Sequence, residues 1–256
     1  MITFSAFTGA GVAMGLGAMG AAIGEGYTAG EANTAISRNP DISGDIFKNM
    51  LVGQAVAESA SIFALVVAIL MLFLDVPTDN LLKGAALFGA GLCMGFGAVG
   101  SGVGSGFPGG QACLGISRQP AAASRLTTGM LIGSAVCQTP AIFSMVIALM
   151  LIFMDFSHLP LAPTWAAILG AGLSTGLAAI GSGYGGGLAA GASCEGISRQ
   201  PESAGNVTTV MLVGQAVAQT PSIFGLLVSF ILIFKSFPES TTLQASMALL
   251  SAGVCM

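Results

Sequence analysis

"AISRNP" at residues 35–40 returns as "GISRQP" at 115–120 and once more as "GISRQP" at 196–201, at spacings of 80 and then 81 residues. Each copy follows a glycine-rich apolar stretch and precedes an apolar stretch richer in branched residues. Two apolar segments joined by a polar loop, three times over at a fixed period, read as three tandem helical hairpins. The helices fall at about 5–36, 48–74, 82–116, 125–154, 163–197 and 206–234. Each unit crosses twice, so every unit enters a membrane the same way. The array is parallel, not the inverted repeat common in secondary transporters.

Composition sets the class. Of 256 residues, 54% are hydrophobic and only 7% charged, with a mean hydropathy of +0.88. A soluble domain carries about 25% charged residues. The fold class is an all-α membrane protein of six long helices plus a partial seventh, assembling as part of a closed ring. The units are 1–80, 81–161 and 162–240, with 241–256 as a partial fourth repeat or a vestigial helix. That tail, "SMALLSAGVCM" (246–256), lines up with "GAALFGAGLCM" (84–94). The first helix of each pair, about 48 Å long at 1.5 Å per residue, exceeds a hydrocarbon core of about 30 Å. It must tilt or project into water on the loop side.

Charge and thiols exclude several classes. The net charge is −4 and no basic patch carries interleaved aromatics, so no nucleic-acid partner is expected. Cys93, Cys113, Cys137, Cys194 and Cys255 form no CxxC pair or metal spacing and read as small buried thiols. The N-terminus lacks a basic n-region, so the first helix is expected to stay. Arg38, Lys48, Arg118, Arg125 and Arg199 lie at or near the three SR(N/Q)P loops, against Lys83 and Lys235 at the opposite ends. The positive-inside rule puts those loops in the cytoplasm. The expected location is the cell inner membrane, as a multi-pass protein in contact with lipid. Trp165 reads as an interfacial anchor and His158 as an exposed loop residue.

"GLGAMG" (15–20) and "GFGAVG" (95–100) match a dinucleotide fingerprint, but that motif needs a strand before it and a turn at its glycines. Inside a membrane helix such glycines serve packing. Gly11/Gly15, Gly20/Gly24 and Gly26/Gly30 are small-xxx-small pairs that let backbones approach. The glycine helices should form a tight inner layer and the bulkier helices an outer, lipid-facing one.

The chemistry centres on "GQAVAESASIF" (53–63), which returns as "GSAVCQTPAIF" (133–143) and "GQAVAQTPSIF" (214–224). Glu58 becomes Gln138 and then Gln219. A charged acid at the bilayer centre costs roughly 2.5–3.5 kcal/mol, so it needs a partner, a proton or an ion. No basic residue lies at that depth to make a structural pair. Glu25, counted back from the loop, reaches similar depth on the adjacent helix. Gln54 lies one turn before Glu58 on the same face, and Ser59 follows it. Two carboxyls, an amide, a hydroxyl and nearby carbonyls are hard oxygen donors, suited to a hard monovalent cation. Two close carboxylates resist being charged together. Glu25 is therefore expected to hold a proton while Glu58 binds the ion. Glu31 and Glu195, nearer the loops, read as solvated.

The second unit has Ser105 and Gln138 at these positions, the third Gly186 and Gln219. With Thr139 and Thr220 they read as spacers that fill the ring and complete a neighbour's site. Pro140 and Pro221 replace Ala60 and should free the carbonyls of Val136 and Val217 by removing their helical donors.

The paired helices, "IGEGYTAGEA…SRNP" and "VGQAVAESASIF" resemble the c subunit, the rotor-ring proteolipid of rotary F-type and V-type ATP synthases and ATPases, here in a fused triple-hairpin form. The resemblance covers all three hairpins. It implies that Glu58 carries the ion through the membrane. It also implies that Glu25, Ser59 and the carbonyl of Val56 ligate sodium beside it, with a proton as the alternative cargo. Proton-only members usually lack this set, so the match favours sodium. One departure is Phe63, where sodium-binding members carry a tyrosine that locks the acid; Tyr27 is the candidate substitute. The implied partners are a homo-oligomeric or mixed c-ring, a stator a subunit, and central-stalk subunits at the cytoplasmic loops. No bond chemistry and no organic cofactor are implied. A structural or pore-forming proteolipid is the alternative from a different class.

Overall fold

The computed structural model describes residues 2–74, 81–235 and 243–254. Cys255 and the proposed boundary at 240/241 lie outside the described residues. Within a membrane every backbone polar group must be satisfied in its own segment, which a helix achieves. The described residues form α1 (Ile2–Arg38), α2 (Ser43–Phe73), α3 (Leu81–Arg118), α4 (Ala123–Cys137), α5 (Thr139–Phe153), α6 (Leu161–Arg199), α7 (Ala204–Ala218), α8 (Thr220–Phe234) and α9 (Leu243–Val254). Six apolar spans of 34 to 39 residues result, with α4–α5 and α7–α8 each making one span.

The loops are short because proline shapes them. Pro40, Pro120 and Pro201 each open a three-residue 3-10 turn. At that first position the missing N–H has no helical partner to lose. The second helices therefore start at 43, 123 and 204, ahead of the 48, 125 and 206 expected from the pattern. Arg38, Arg118 and Arg199 end α1, α3 and α6, where the helix dipole favours positive charge.

The glycine helices α1, α3 and α6 lie side by side with α3 in the middle, as the glycine pattern requires. A Cβ on Gly91 would stand 2.7 Å from the Gly9 carbonyl carbon, and one on Gly172 2.8 Å from that of Gly89. Such backbone-to-backbone approach is what drives helix association where lipid removes the hydrophobic difference. The short α9 sits on α6 in the same register, Gly253 against Gly170. The bulkier helices form the second layer: α2 rests on α1 and α3, α4–α5 on α3 and α6, and α7–α8 on α6. Their outer faces expose Leu51, Ile62, Leu65, Ile69, Leu72, Val213 and Ile231 among others, as lipid-facing surfaces do. Cys93, Cys113, Cys137 and Cys194 are buried free thiols.

Two spans expected to be continuous helices are broken. The breaks fall at Gln138 and Gln219, two residues before each proline. Proline has no N–H to donate to residue i−4 and its ring crowds that carbonyl. In hairpin 1 the same position is Ala60, and α2 runs unbroken from Ser43 to Phe73.

At the end of the bundle away from the SR(N/Q)P loops, the Lys83 ammonium donates to the carbonyls of Ile152 and Met154, closing the C-terminus of α5. In the following loop Asp155 accepts from the Ser157 N–H and hydroxyl, both at 2.9 Å. These bonds hold its carboxyl below the usual range. His158 is exposed in this loop, as expected, and Trp165 packs partly buried against the core.

Candidate ion-binding site

One clamp recurs inside each hairpin. Gln54 Nε2 donates to the Glu25 backbone carbonyl at 3.2 Å. Ser134 Oγ donates to the Ser105 carbonyl at 3.4 Å, and Gln215 Nε2 to the Gly186 carbonyl at 3.1 Å. Positions 25, 105 and 186 are equivalent, as are 54, 134 and 215. The outer helix of every hairpin is thus pinned to its inner helix at the level of Glu25.

A second bond recurs between hairpins. Gln138 Nε2 donates to the Val56 carbonyl at 2.9 Å, and Gln219 Nε2 to the Val136 carbonyl at 2.6 Å. A carbonyl only accepts, so the nitrogen end of each amide must face it. Gln138 Nε2 also donates to Ser105 Oγ at 2.7 Å. The rule is simple: the side chain at the acid position reaches the valine carbonyl of the hairpin before its own. Glu58 belongs to the first of the three described hairpins. It lies exposed on the open edge, with Glu25 half-buried nearby and the two carboxyls interacting electrostatically.

The expected ligands therefore sit on two edges of hairpin 1. Glu58, Glu25 and Gln54 gather at the open edge. Val56 and Ser59 serve the other: Ser59 Oγ donates to the Val56 carbonyl at 2.6 Å, beside the Gln138 amide. Residues two apart on a helix point about 200° apart, so Val56 and Glu58 meet different neighbours. Thr139 and Thr220 are both half-buried next to their glutamines, and Thr220 Oγ1 turns back to the Ala216 carbonyl at 3.5 Å. Val217 is 69% exposed. Tyr27 does not turn toward Glu58. Its hydroxyl accepts from Gln111 Nε2 at 2.9 Å, and its ring meets Phe107 edge-on at 5.2 Å. Phe63 packs partly buried on the core.

Two features escape a reading of the pattern alone. The N–H of Ala141 donates to Ser101 Oγ at 3.1 Å, and that of Ser222 to Ser182 Oγ at 3.2 Å. Both donors lie in the first turn after a proline break, where backbone N–H groups lack helical partners. Hairpin 1, unbroken, has Ala21 at the equivalent inner position. The signal is the joint arrival of serine and proline in hairpins 2 and 3. The other is a polar link between hairpins 1 and 2: Thr127 Oγ1 donates to Asn49 Oδ1 at 2.9 Å, and Asn49 Nδ2 to Cys113 Sγ at 3.4 Å.

The sequence matches the family of ATP synthase C subunits three times, over residues 8–71, 88–151 and 169–232. An ATP synthase c subunit from Natranaerobius thermophilus is 51% identical over 65 residues, 25% of this chain and 74% of that protein. Its namesake from Alkaliphilus oremlandii is 46% identical over 73 residues, 28% of this chain and 82% of that protein. A chloroplastic ATP synthase c subunit from Phaeodactylum tricornutum is 49% identical over 71 residues, 28% of this chain and 87% of that protein. Each of these alignments is one hairpin long. Three family matches in tandem, on three hairpins of one architecture, make this chain a member of the ATP synthase C-subunit family in a fused triple-repeat form.

Proposed function

We propose that this rotor protein carries sodium through the membrane on Glu58 as the ring turns. As a member of its family the chain is a non-catalytic membrane component of the rotor; the ion, its ligands and its path are the proposal. One observation carries it. At both junctions within the chain an amide nitrogen stands on the preceding valine carbonyl. Glu58 occupies the equivalent place with an acid. A carboxylate facing a carbonyl sets acceptor against acceptor, and only a proton or a cation between them removes the conflict.

The site is completed by the hairpin that precedes the first in the ring. Where that is the third hairpin of another copy, it brings the Val217 carbonyl and the Thr220 hydroxyl. Glu25, protonated, donates to Glu58 or supplies an oxygen to the ion. Gln54 holds Glu25's backbone through its nitrogen and keeps its own oxygen for the site. The Gln138 and Gln219 hairpins are neutral at this level and cross the lipid without an ion. The SR(N/Q)P loops face the cytoplasm and the central stalk, and a stator a subunit exchanges the ion at Glu58 in the inner membrane.

The test is carbodiimide labelling of Glu58 in purified rings. Sodium at ten times its dissociation constant should slow labelling about tenfold, and Glu58→Gln should abolish both labelling and ion flux. Labelling that responds to pH but not to sodium refutes sodium and identifies a proton carrier on the same residues. Ion flux that survives Glu58→Gln refutes the carrier reading altogether and identifies a passive or structural proteolipid.

A further inference from the structure

We propose that the open edge of the third hairpin receives the first hairpin of a second copy of this chain, with Ser193 and Asn33 as the matched polar pair that selects it. A groove of about 470 Å³ runs between α6 and α7 at the end near the SR(N/Q)P loops. Val207, Val210 and Gly214 line it from α7 and Ser193 from α6. Ser193 is 4% exposed, and its Oγ has no hydrogen-bond partner among the described residues. A buried hydroxyl left unpaired is costly. At the same position the first two hairpins carry Ala32 and Ala112, which need no partner.

The closed junctions show what fills this place. On hairpin 1 the equivalent wall meets α3, where Cys113 Sγ accepts from Asn49 Nδ2 at 3.4 Å and donates to the Ile46 carbonyl at 3.9 Å. On hairpin 2 it meets α6. A Cβ on Gly133 would stand 2.6 Å from the Ala190 Cβ, and one on Gly129 2.9 Å from Ile197 Cδ1. Ile46 and Asn49 are equivalent to Val207 and Val210, and Gly133 to Gly214. Both times the occupant is the inner helix of the next hairpin. On hairpin 3, by the same register, α1 of a second copy brings Ala29 opposite Gly214 and Asn33 opposite Val207 and Val210. Asn33 stands where the other inner helices carry Cys113 and Cys194. Those thiols are buried, whereas Asn33 is exposed on the open edge of α1. Its amide can donate to a hydroxyl or accept from one. An unpaired hydroxyl thus lies at one open edge and a free amide at the level that meets it on the other. Each is found in one of the three hairpins, and each on the edge that its own chain leaves open.

The far half of the α6 edge, away from the loops, carries α9. A Cβ on its Gly253 would stand 2.5 Å from the Gly170 Cα, and Gly11 is the equivalent residue of α1. α9 and the incoming α1 therefore claim one slot, and docking of the second copy displaces α9. The inference names the neighbour in the ring and holds whichever ion Glu58 carries.

The test follows association between purified chains by light scattering on dilution, beside the thermal midpoint of the detergent-dissociated chain. Ser193→Ala removes an unpaired buried hydroxyl, so it should raise that midpoint or leave it unchanged. It should nonetheless weaken association roughly 2- to 12-fold. Asn33→Ala should leave the midpoint unchanged and weaken association by a similar factor. The double variant should be no weaker than either single one, since all three lack the same bond. Gly253→Leu, which crowds α9 off Gly170, should tighten association about fivefold or more. Association unchanged by Ser193→Ala and Asn33→Ala, or effects that simply add, overturns the pairing. Gly253→Leu chains that associate no better than wild type overturn the displacement and make α9 part of the ring wall. Neither result bears on the carrier role of Glu58, which its labelling decides.

Discussion

Gly26 allows ring closure to be separated from folding. It stands on the open edge of α1, and nothing lies within 4 Å of the place its Cβ would take. Its two repeats are at closed junctions. A Cβ on Gly106 would stand 2.7 Å from the Gly24 carbonyl carbon, and one on Gly187 2.7 Å from that of Gly104. The nearest backbone atoms are closer still, the Gly24 oxygen at 2.4 Å and the Gly104 oxygen at 2.3 Å, and ordinary contact begins near 3.4 Å, so a methyl group there demands about 1 Å more separation from backbone that cannot rotate aside. A gap of that size along a helix pair forfeits a quarter to a half of each lost dispersion contact. Overpacking of this kind costs about 1–3 kcal/mol, or roughly 5- to 150-fold in an equilibrium. Gly106→Ala and Gly187→Ala should therefore lower the thermal midpoint of the chain itself. Gly26→Ala should leave that midpoint unchanged and weaken the contact between chains by the same factor. Circular dichroism of detergent-dissociated chains measures the first effect, and light scattering on dilution of purified rings the second. Gly26→Ala rings that survive dilution as well as wild type would show that α1's open edge does not close on a neighbouring backbone, and the repeat argument would fail.

Ser101→Ala removes the acceptor for the Ala141 N–H and should destabilise the chain by about 1–3 kcal/mol, read as a lower thermal midpoint; Ala21→Ser, at the unbroken hairpin, should change it little. On the proposed function, a ring built only of the three described hairpins, with one carboxylate among them, moves a third of the ions per turn that a ring with an acid in every hairpin would. Each ion does about 2.3 kcal/mol of work per 100 mV, so ATP-driven proteoliposomes should stall at about three times the potential reached with the Gln138→Glu, Gln219→Glu chain. Equal stall potentials, or a native ring found by mass spectrometry to consist mainly of one-hairpin subunits, would refute that count.

The three SR(N/Q)P loops made the hairpins, the parallel array and the glycine layer legible, because period and polarity depend on backbone geometry that every copy shares. Pro140 and Pro221 point to the freed carbonyls of Val136 and Val217, but the apolar pattern runs through both spans as continuous helices, and the breaks at Gln138 and Gln219 are not foreseen from it. What stayed hidden was direction. A list of oxygen donors around Glu58 does not say which edge of the helix each one serves. Val56 and Ser59 look adjacent to Glu58 in sequence, yet they face Gln138 across the next junction. Tyr27 looked like a replacement lock, and its hydroxyl is instead taken by Gln111. Side-chain orientation across a repeat depends on the neighbouring copy, which no single stretch of sequence contains.

The prolines and the glutamines explain each other. Val56 keeps its helical donor, because Ala60 has an N–H and α2 is unbroken. Val136 loses its donor to Pro140, and the Gln219 amide from the next hairpin takes that carbonyl at 2.6 Å, a shorter bond than the 2.9 Å from Gln138 to Val56. A carbonyl released from its helix is the stronger acceptor, since its lone pairs are less engaged. Pro221 does the same to Val217, and that residue is left exposed at the far edge of the third hairpin. The amide that would meet it, by the pattern of the other two junctions, belongs to none of the three described hairpins. Where a first hairpin adjoins that edge, the side chain that reaches it is Glu58. On the proposed function, the break in the third hairpin leaves the Val217 carbonyl without an N–H donor at Pro221 where a cation-bearing Glu58 would adjoin it, while the Gln138 and Gln219 amides keep the two described junctions neutral. On this reasoning Pro221→Ala, which would return an N–H to Val217, loosens the ion at the Glu58 of the adjoining chain and leaves the Gln138 and Gln219 junctions untouched. Carbodiimide labelling of Glu58 in Pro221→Ala rings should then need more sodium for the same protection; an unchanged sodium requirement would mean that the Val217 carbonyl takes no part in holding the ion.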